Sequence, residues 1–128
     1  MEKMKSLQKA QLAANALDSK KARDIKILKV AEKTVIADYF VISEGTSNTQ
    51  IKALCDEVEY QLDNAGISCT NKEGHASATW IIMDYDDVIV HIFDKEARKY
   101  YNLEKLWADA EEVEFVTESE TKEAKEVE

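Results

Sequence analysis

The stretch from Ala78 to Phe93 constrains the fold most, because it holds two runs of β-forming residues with only a short polar interruption between them. Two such runs joined so closely are typical of a β-hairpin. We therefore predict strands over Ala78–Asp84 and Asp87–Phe93, with the chain turning at Tyr85 and Asp86.

The predicted hairpin has two chemically different faces. In the register that this turn sets, Met83 lies opposite Val88 and Ile81 lies opposite Val90, so one face is wholly apolar. Alternate residues point to the other face, where polar and aromatic side chains interrupt the apolar ones. This mixed face carries Trp80, Ile82, Asp84, Ile89, His91 and Phe93.

Further strands are predicted before and after the hairpin. Asp24–Val30 is a short β-prone run, and Asp38–Ile42 is apolar nearly throughout, which is typical of a strand covered on both faces. Ile67–Thr70 predicts a short edge strand, followed by a polar loop over Asn71–Ser77. Residues 113–116 are apolar enough to add a last strand.

Three segments show the spacing of amphipathic helices. The first covers about residues 3–20. The second begins at Ser47, which with Gln50 fits a capping box, and ends at Gly66, a glycine suited to the left-handed position after a helix. Asp94 is placed to cap the third. The apolar positions of the second and third are Ile51, Leu54, Cys55, Val58, Leu62, Tyr100, Tyr101, Leu103, Leu106 and Trp107.

These elements predict a single α/β domain over residues 1–116 of the 128-residue chain, with no linker that would divide it. The end of the chain has a different composition. Residues 111–128 contain eight Glu against only Lys122 and Lys125. Because so few apolar residues are available there, residues 117–128 are predicted to form an acidic disordered tail.

The composition disfavours several classes of function. The formal net charge of −9 repels phosphate backbones and so favours a basic protein partner over nucleic acid. No apolar run approaches the ~20 residues of a membrane span, and the N-terminus resembles neither a secretory signal nor a transit peptide, which predicts a cytoplasmic protein. Cys55, Cys69, His75 and His91 lack the spacing of metal ligands, so no metal or other cofactor is predicted.

Four segments stand in a characteristic order: Asp38–Ile42 with Gly45–Ser47, Glu73–Gly74, Trp80–Phe93 and Arg98–Ala110. Each is a weak signal alone, but in this order and spacing the chain resembles the Iojap family, the bacterial ribosomal silencing factors. Two positions depart from the family pattern. Asp86 stands where the hairpin tip commonly has glycine, and Glu44 replaces a small or hydroxyl residue. Asp tolerates a left-handed backbone better than most residues, so the tip can still form.

The resemblance implies both a fold and a function. The fold would be a mixed β-sheet flanked by helices, similar to nucleotidyltransferases but without their catalysis. The protein would be a translation repressor rather than an enzyme. It would bind the large ribosomal subunit through the ribosomal protein numbered fourteen and block association with the small subunit under nutrient limitation.

The hairpin supplies a surface suited to such binding. Trp80 and Tyr85 are residue types that anchor interfaces, and a cluster of aspartates would complement a basic ribosomal protein. The predicted partner-binding residues are Trp80, Ile82, Asp84, Tyr85, Asp86, Asp87 and His91. Spacing alone favours a core position for Trp80 and an ordinary turn for the aspartates, and the resemblance reverses this for Trp80 and Tyr85. A monomer and a homodimer are both compatible with the sequence.

Two other functions stay open at this point. Gly45–Ser47 precedes a helix and Asp84 lies two residues before Asp86, a combination that could serve a metal-dependent nucleotidyltransferase-like enzyme. Against it, Glu44 would repel phosphate, no basic residue is near Gly45 in sequence, and aspartates at a hairpin tip need not converge. The other alternative is an adaptor whose protein partner is not the ribosome.

Overall fold

Ten helices and strands follow one another along residues 5–115, the part of the chain that the computed structural model describes. The helices are α1 (Ser6–Ser19), α2 (Asn48–Asn64), α3 (Lys95–Tyr101) and α4 (Leu103–Leu106). The strands are β1 (Arg23–Lys29), β2 (Tyr39–Gly45), β3 (Asn71–Glu73), β4 (Trp80–Asp84), β5 (Val88–Asp94) and β6 (Glu111–Val113). Within residues 5–115 no helix is both long enough and apolar enough to cross a membrane. The tail predicted over residues 117–128 lies outside the described part.

The six strands form one mixed sheet in the order β3-β4-β5-β2-β1-β6. β2 and β5 run parallel at its centre, and every other neighbouring pair is antiparallel. Residues 40–43 of β2 are all buried, because helices cover both faces of the sheet at this strand. The predicted mixed sheet flanked by helices, and its doubly covered central strand, are confirmed.

α1 and α2 cover one face of the sheet and form the larger core with it. α1 contributes four buried alanines and Leu17, while α2 contributes the predicted stripe that includes Cys55. α2 also ends as predicted, since Gly66 follows it with a left-handed backbone at φ +81°. The wholly apolar side of the hairpin packs against these helices through Ile81, Met83, Val88, Val90 and Ile92.

α3 and α4 cover part of the opposite face. Asp94 caps α3 by accepting a hydrogen bond from the backbone N–H of Ala97 at 2.7 Å, as predicted. The predicted single helical segment is, however, divided in two at Asn102, which adopts a left-handed backbone at φ +45°. Leu103 and Trp107 pack over a second, smaller core centred on Phe40.

The β4–β5 hairpin forms, but its register differs from the predicted one by two residues. Met83 pairs with Val90 and Ile81 with Ile92. Tyr85 still belongs to the ladder, because its N–H donates to the carbonyl of Val88 at 2.9 Å, so Asp86 and Asp87 form the tip. A shift of two residues leaves every side chain on its predicted face, since the side-chain period of a strand is two.

Three smaller predictions need correction. The edge strand is Asn71–Glu73, which was predicted as loop, and the preceding residues 67–70 lie outside any strand. The last strand begins earlier than predicted, at Glu111, and pairs with β1. Only half of the capping box forms at Ser47: its hydroxyl accepts from the Gln50 N–H, but the Gln50 side chain accepts from the N–H of Thr46 instead.

Candidate functional site

The mixed face of the hairpin is the surface that the sequence singles out, and α3 and α4 leave part of it open. Trp80 and Ile82 on β4 and Ile89 on β5 are half-buried, which keeps apolar surface accessible. The neighbouring strand β3 places Glu73 beside Ile82 and Asn71 beside Asp84 on this same face. The result is a partly exposed apolar strip with carboxylates along its edge.

Trp80 is held in an aromatic cluster. Its ring stacks on Phe93 with centroids 5.0 Å apart and lies 4.5 Å from the ring of Tyr101, which is itself 50% exposed. Contacts of this kind restrict the orientation of a large side chain. Trp80 is therefore both a packing residue and a partly exposed one.

His91 hydrogen-bonds to the side chain of Trp80 on this face. The indole Nε1–H donates to His91 Nδ1 at 3.1 Å, and because an indole can only donate, the imidazole proton must reside on Nε2. Burial lowers the pKa of His91 to about 4, so the ring is neutral near pH 7. Only 6% of the His91 surface is exposed, so this residue is too buried for the direct partner contact that was predicted for it. Its neighbours on the face cover it, and it positions Trp80 instead.

Tyr85 is also placed differently from the prediction. Its side chain follows the alternation of Ile81 and Met83 onto the helix-covered face, where it is only 1% exposed and belongs to the main core. The expectation that Tyr85 lies exposed at the hairpin tip is therefore wrong. The alternation of side chains along β4, continued to Tyr85, was the sequence signal that places this residue in the core.

The three aspartates of the tip have different surroundings. Asp86 is exposed and adopts the left-handed backbone expected from the family pattern, at φ +70°. Asp84 accepts a hydrogen bond from the Asp86 N–H at 2.8 Å, which stabilises the turn. Asp87 instead forms an ion pair with Lys9 of α1 at 2.6 Å. Neither Asp84 nor Asp86 forms an ion pair with a residue that the structure describes.

Some residues of the mixed face, and of the β1–β2 connection beside the hairpin tip, were not predicted from the sequence. Glu73 was assigned to a loop, although the pairing of β3 with β4 places it on the mixed face. Val35 and Ile36 are 104% and 66% exposed in the β1–β2 connection. The backbone N–H of Asp38, at the end of this connection, donates to the backbone carbonyl of Asp87 at the hairpin tip at 2.7 Å. The available signal in the sequence was two consecutive aliphatic residues in the connection between two predicted strands.

The other end of the sheet holds a cleft of about 450 Å³. It is lined by Arg23, Glu44, Gly45, Thr46, Ser47, Asn48, Asp94, Lys95 and Glu96. Folding therefore brings two basic residues near Gly45, which the sequence did not indicate, although three carboxylates accompany them.

This arrangement opposes the nucleotidyltransferase-like alternative. Gly45 pairs with Asp94 at one end of β5, whereas Asp84 pairs with Ile89 five residues earlier. At about 3.3 Å per residue the two sites are roughly 16 Å apart along the sheet. The Gly45–Ser47 turn and the aspartates of the tip cannot act on the same phosphate.

Comparison with known proteins agrees with the fold and with the resemblance. The family model described as ribosomal silencing factor during starvation matches residues 3–128. The chain belongs to the ribosomal silencing factor family. The family's Bacillus subtilis protein is 46% identical over 99 residues, which span 77% of this chain and 84% of that relative. A maize chloroplast Iojap protein is 31% identical over 106 residues, 80% of this chain and 44% of the maize protein.

A solved structure carries the same fold. A crystal structure of a Chromobacterium violaceum protein superposes with a TM-score of 0.81 at 33% identity, covering 89% of this chain and 94% of that one. The predicted resemblance to ribosomal silencing factors is therefore confirmed.

Proposed function

We propose that this chain represses translation by binding the large ribosomal subunit through the ribosomal protein numbered fourteen, and that it thereby blocks association with the small subunit. We place this action in the cytoplasm and under nutrient limitation. Family membership supports the proposal, because the matching family is described as a ribosomal silencing factor during starvation. The proposal contains no catalytic step.

The observation that carries the docking proposal is the charge and polarity of the mixed face. Trp80, Ile82 and Ile89 leave apolar surface partly exposed there. Glu73 and Asp84 lie beside it, and β3, β4 and β5 place no Lys or Arg on this face. An apolar centre with an acidic edge complements a basic protein partner, because the apolar area supplies affinity and the charges speed encounter.

Residues of the hairpin take different parts in this proposal. Trp80 and Ile82 are the proposed direct contacts, and Asp84 and Asp86 attract the basic partner. His91 acts through Trp80, whose indole it holds by a 3.1 Å hydrogen bond.

Sedimentation with separated ribosomal subunits tests the partner. The pure protein should be recovered with large subunits and not with small ones, and it should pull down the isolated ribosomal protein numbered fourteen. When large subunits are first incubated with the protein, their association with small subunits, measured by light scattering, should also decrease. Equal recovery with both subunits, or with neither, would contradict the proposal and favour an adaptor of another partner.

Substitution of Trp80 tests the surface. Trp80→Ala should weaken binding to the large subunit by about thirtyfold, because a well-packed interface aromatic typically contributes ~2 kcal/mol. Thermal melting on the same samples should show a folded protein. Tyr60→Ala is the matched control, since Tyr60 is an aromatic residue of α2 that is 63% exposed and remote from the mixed face. A folded Trp80→Ala variant that binds like the parent would remove this face from the proposal.

A further inference from the structure

The loop between β3 and β4 brings His75 against α2, beside Cys55 and Asp56. The His75 Nε2 lies 3.3 Å from a carboxylate oxygen of Asp56. The Cys55 Sγ completes a group in which the three ligand atoms all lie within 4.8 Å of one another. Asp56 and His75 are nineteen positions apart in the sequence, so the group arises from folding and has no recognisable sequence spacing.

These three side chains are a suitable donor set for a borderline divalent cation. Zinc is bound in proteins by Cys sulfur, His nitrogen and Asp oxygen. Bonds of about 2.0–2.1 Å directed to the corners of a tetrahedron place nitrogen and oxygen ligands about 3.3 Å apart. The separation of His75 and Asp56 already has this value. A Zn–S bond of about 2.3 Å places the sulfur about 3.6 Å from each of the other two ligand atoms. The Cys55 Sγ lies within 4.8 Å of them, so these distances must shorten by at most about 1.2 Å.

We propose that Cys55, Asp56 and His75 bind Zn²⁺, with a water molecule as the fourth ligand. Such a site would join α2 to the loop that leads into β4. It is independent of ribosome binding, so either proposal can fail without the other.

The surroundings of the site determine how Cys55 must change. Burial raises the pKa of the Cys55 thiol to about 12, while the charge of Lys72 acts to lower it. Cation binding must therefore release the thiol proton to solvent, and the metal charge then stabilises the thiolate in place of the proton. Lys72 would oppose a second cation, but its ammonium is paired with Glu59 at 3.2 Å, which offsets much of its charge.

Access to the site is open on one side. The side chains of His75 and Asp56 are 38% and 65% exposed, whereas Cys55 is fully buried. An ion can therefore meet the carboxylate and imidazole first and the thiol last. His75→Ala is therefore a milder test of the site than Cys55→Ala, since the His75 side chain is partly exposed and the Cys55 side chain is buried.

Cobalt substitution tests the proposal on the full chain after treatment with chelator. Co²⁺ should produce a near-ultraviolet thiolate-to-metal charge-transfer band and the intense visible bands of tetrahedral coordination, and Zn²⁺ should displace it. Cys55→Ala should abolish the charge-transfer band, and His75→Ala should weaken Zn²⁺ binding by at least about tenfold. Zn²⁺ should also raise the melting temperature of the parent but not of His75→Ala.

Cys69→Ala is the matched control, because Cys69 is the other free cysteine and lies outside the group. It should retain the charge-transfer band. The proposal is overturned if the parent gives no band, if Cys55→Ala keeps it, if Cys69→Ala loses it, or if folded His75→Ala binds Zn²⁺ as tightly as the parent.

Discussion

The two faces of the sheet differ in how completely they are covered. Among residues 5–115, nineteen buried residues form one continuous core against α1 and α2, whereas the core beneath α3 and α4 has six. Stability therefore resides mainly on the first face. The second face keeps aromatic and aliphatic surface partly exposed, with His91 buried beneath Trp80. Under the proposed function, one sheet would separate folding from recognition, and adjacent residues of a single strand would serve the two purposes.

Two neighbouring isoleucines of β4 give the largest expected difference between the faces. Ile81 is fully buried against the helices, so Ile81→Ala should lower the free energy of unfolding by about 2–5 kcal/mol. Ile82 is half-buried on the mixed face, so Ile82→Ala should cost only about 1 kcal/mol of stability while weakening large-subunit binding. Denaturant unfolding and subunit sedimentation measure both effects. Equal stability losses in the two variants would show that the faces do not differ as described.

Acidification should destabilise the mixed face through His91. Its pKa is about 4 in the folded protein against 6.5 for an ordinary histidine, so below pH 6.5 the unfolded chain takes up a proton that the folded chain does not. Stability should therefore fall as the pH decreases from 6.5, by about 2 kcal/mol at pH 5, and should not change through this group above pH 7.

Urea unfolding between pH 7.5 and pH 5 measures this effect. His91→Gln should remove most of the slope, because glutamine does not titrate and its carbonyl oxygen can still accept from Trp80. A slope that persists in the folded variant would assign the effect to other groups.

The two tip aspartates provide a smaller contrast. Asp87→Asn should cost about 1 kcal/mol of stability, because it removes the partly buried ion pair with Lys9. Asp86→Asn should change stability by less than about 0.5 kcal/mol, since Asp86 is exposed and asparagine also tolerates its left-handed backbone. Its effect should be a slower association with large subunits, most evident at low salt. Stopped-flow binding and thermal melting separate the two, and identical behaviour of both variants would argue against distinct roles.

The acidic end of the chain should have the smallest effect of all. Removal of residues 117–128 should leave the melting temperature and large-subunit binding nearly unchanged, because this segment combines high charge with few apolar residues. Removal of residues 111–128 is the informative comparison, since it also deletes β6 and its pairing with β1. A marked loss from the shorter truncation would show that the tail takes part in folding or binding.

Most of the fold could be predicted from periodicity, because strands and helices with one buried face carry a regular apolar pattern. The capped α2 and the assignment of side chains to the two hairpin faces follow from this pattern. The hairpin register could not be fixed in the same way, since a shift of two residues leaves the pattern unchanged. Tyr85 was misplaced because the turn was assigned one residue too early.

The site was predictable only in part. Trp80, Ile82 and Asp84 lie on the predicted face, because alternation alone determines it. The ion pair of Asp87 with Lys9 and the approach of His75 to Cys55 depend on contacts between distant segments. No local pattern records such contacts, so both could be found only from the structure.

The single parallel pairing at the centre of the sheet has a consequence for how the molecule assembles. β1 with β2, and β4 with β5, are antiparallel neighbours that close short loops, whereas β2 ends at Gly45 and its partner β5 begins only at Val88. Bringing β2 and β5 together across that long segment costs chain entropy, and this cost must be overcome before contacts between the two strands form. We therefore expect the two hairpins to form early and the pairing of β2 with β5 to form late, as the rate-limiting step. α2 would be enclosed when these two strands pair. β2 and β5, each with five of seven residues buried, would then be among the last strands to gain their full set of neighbours.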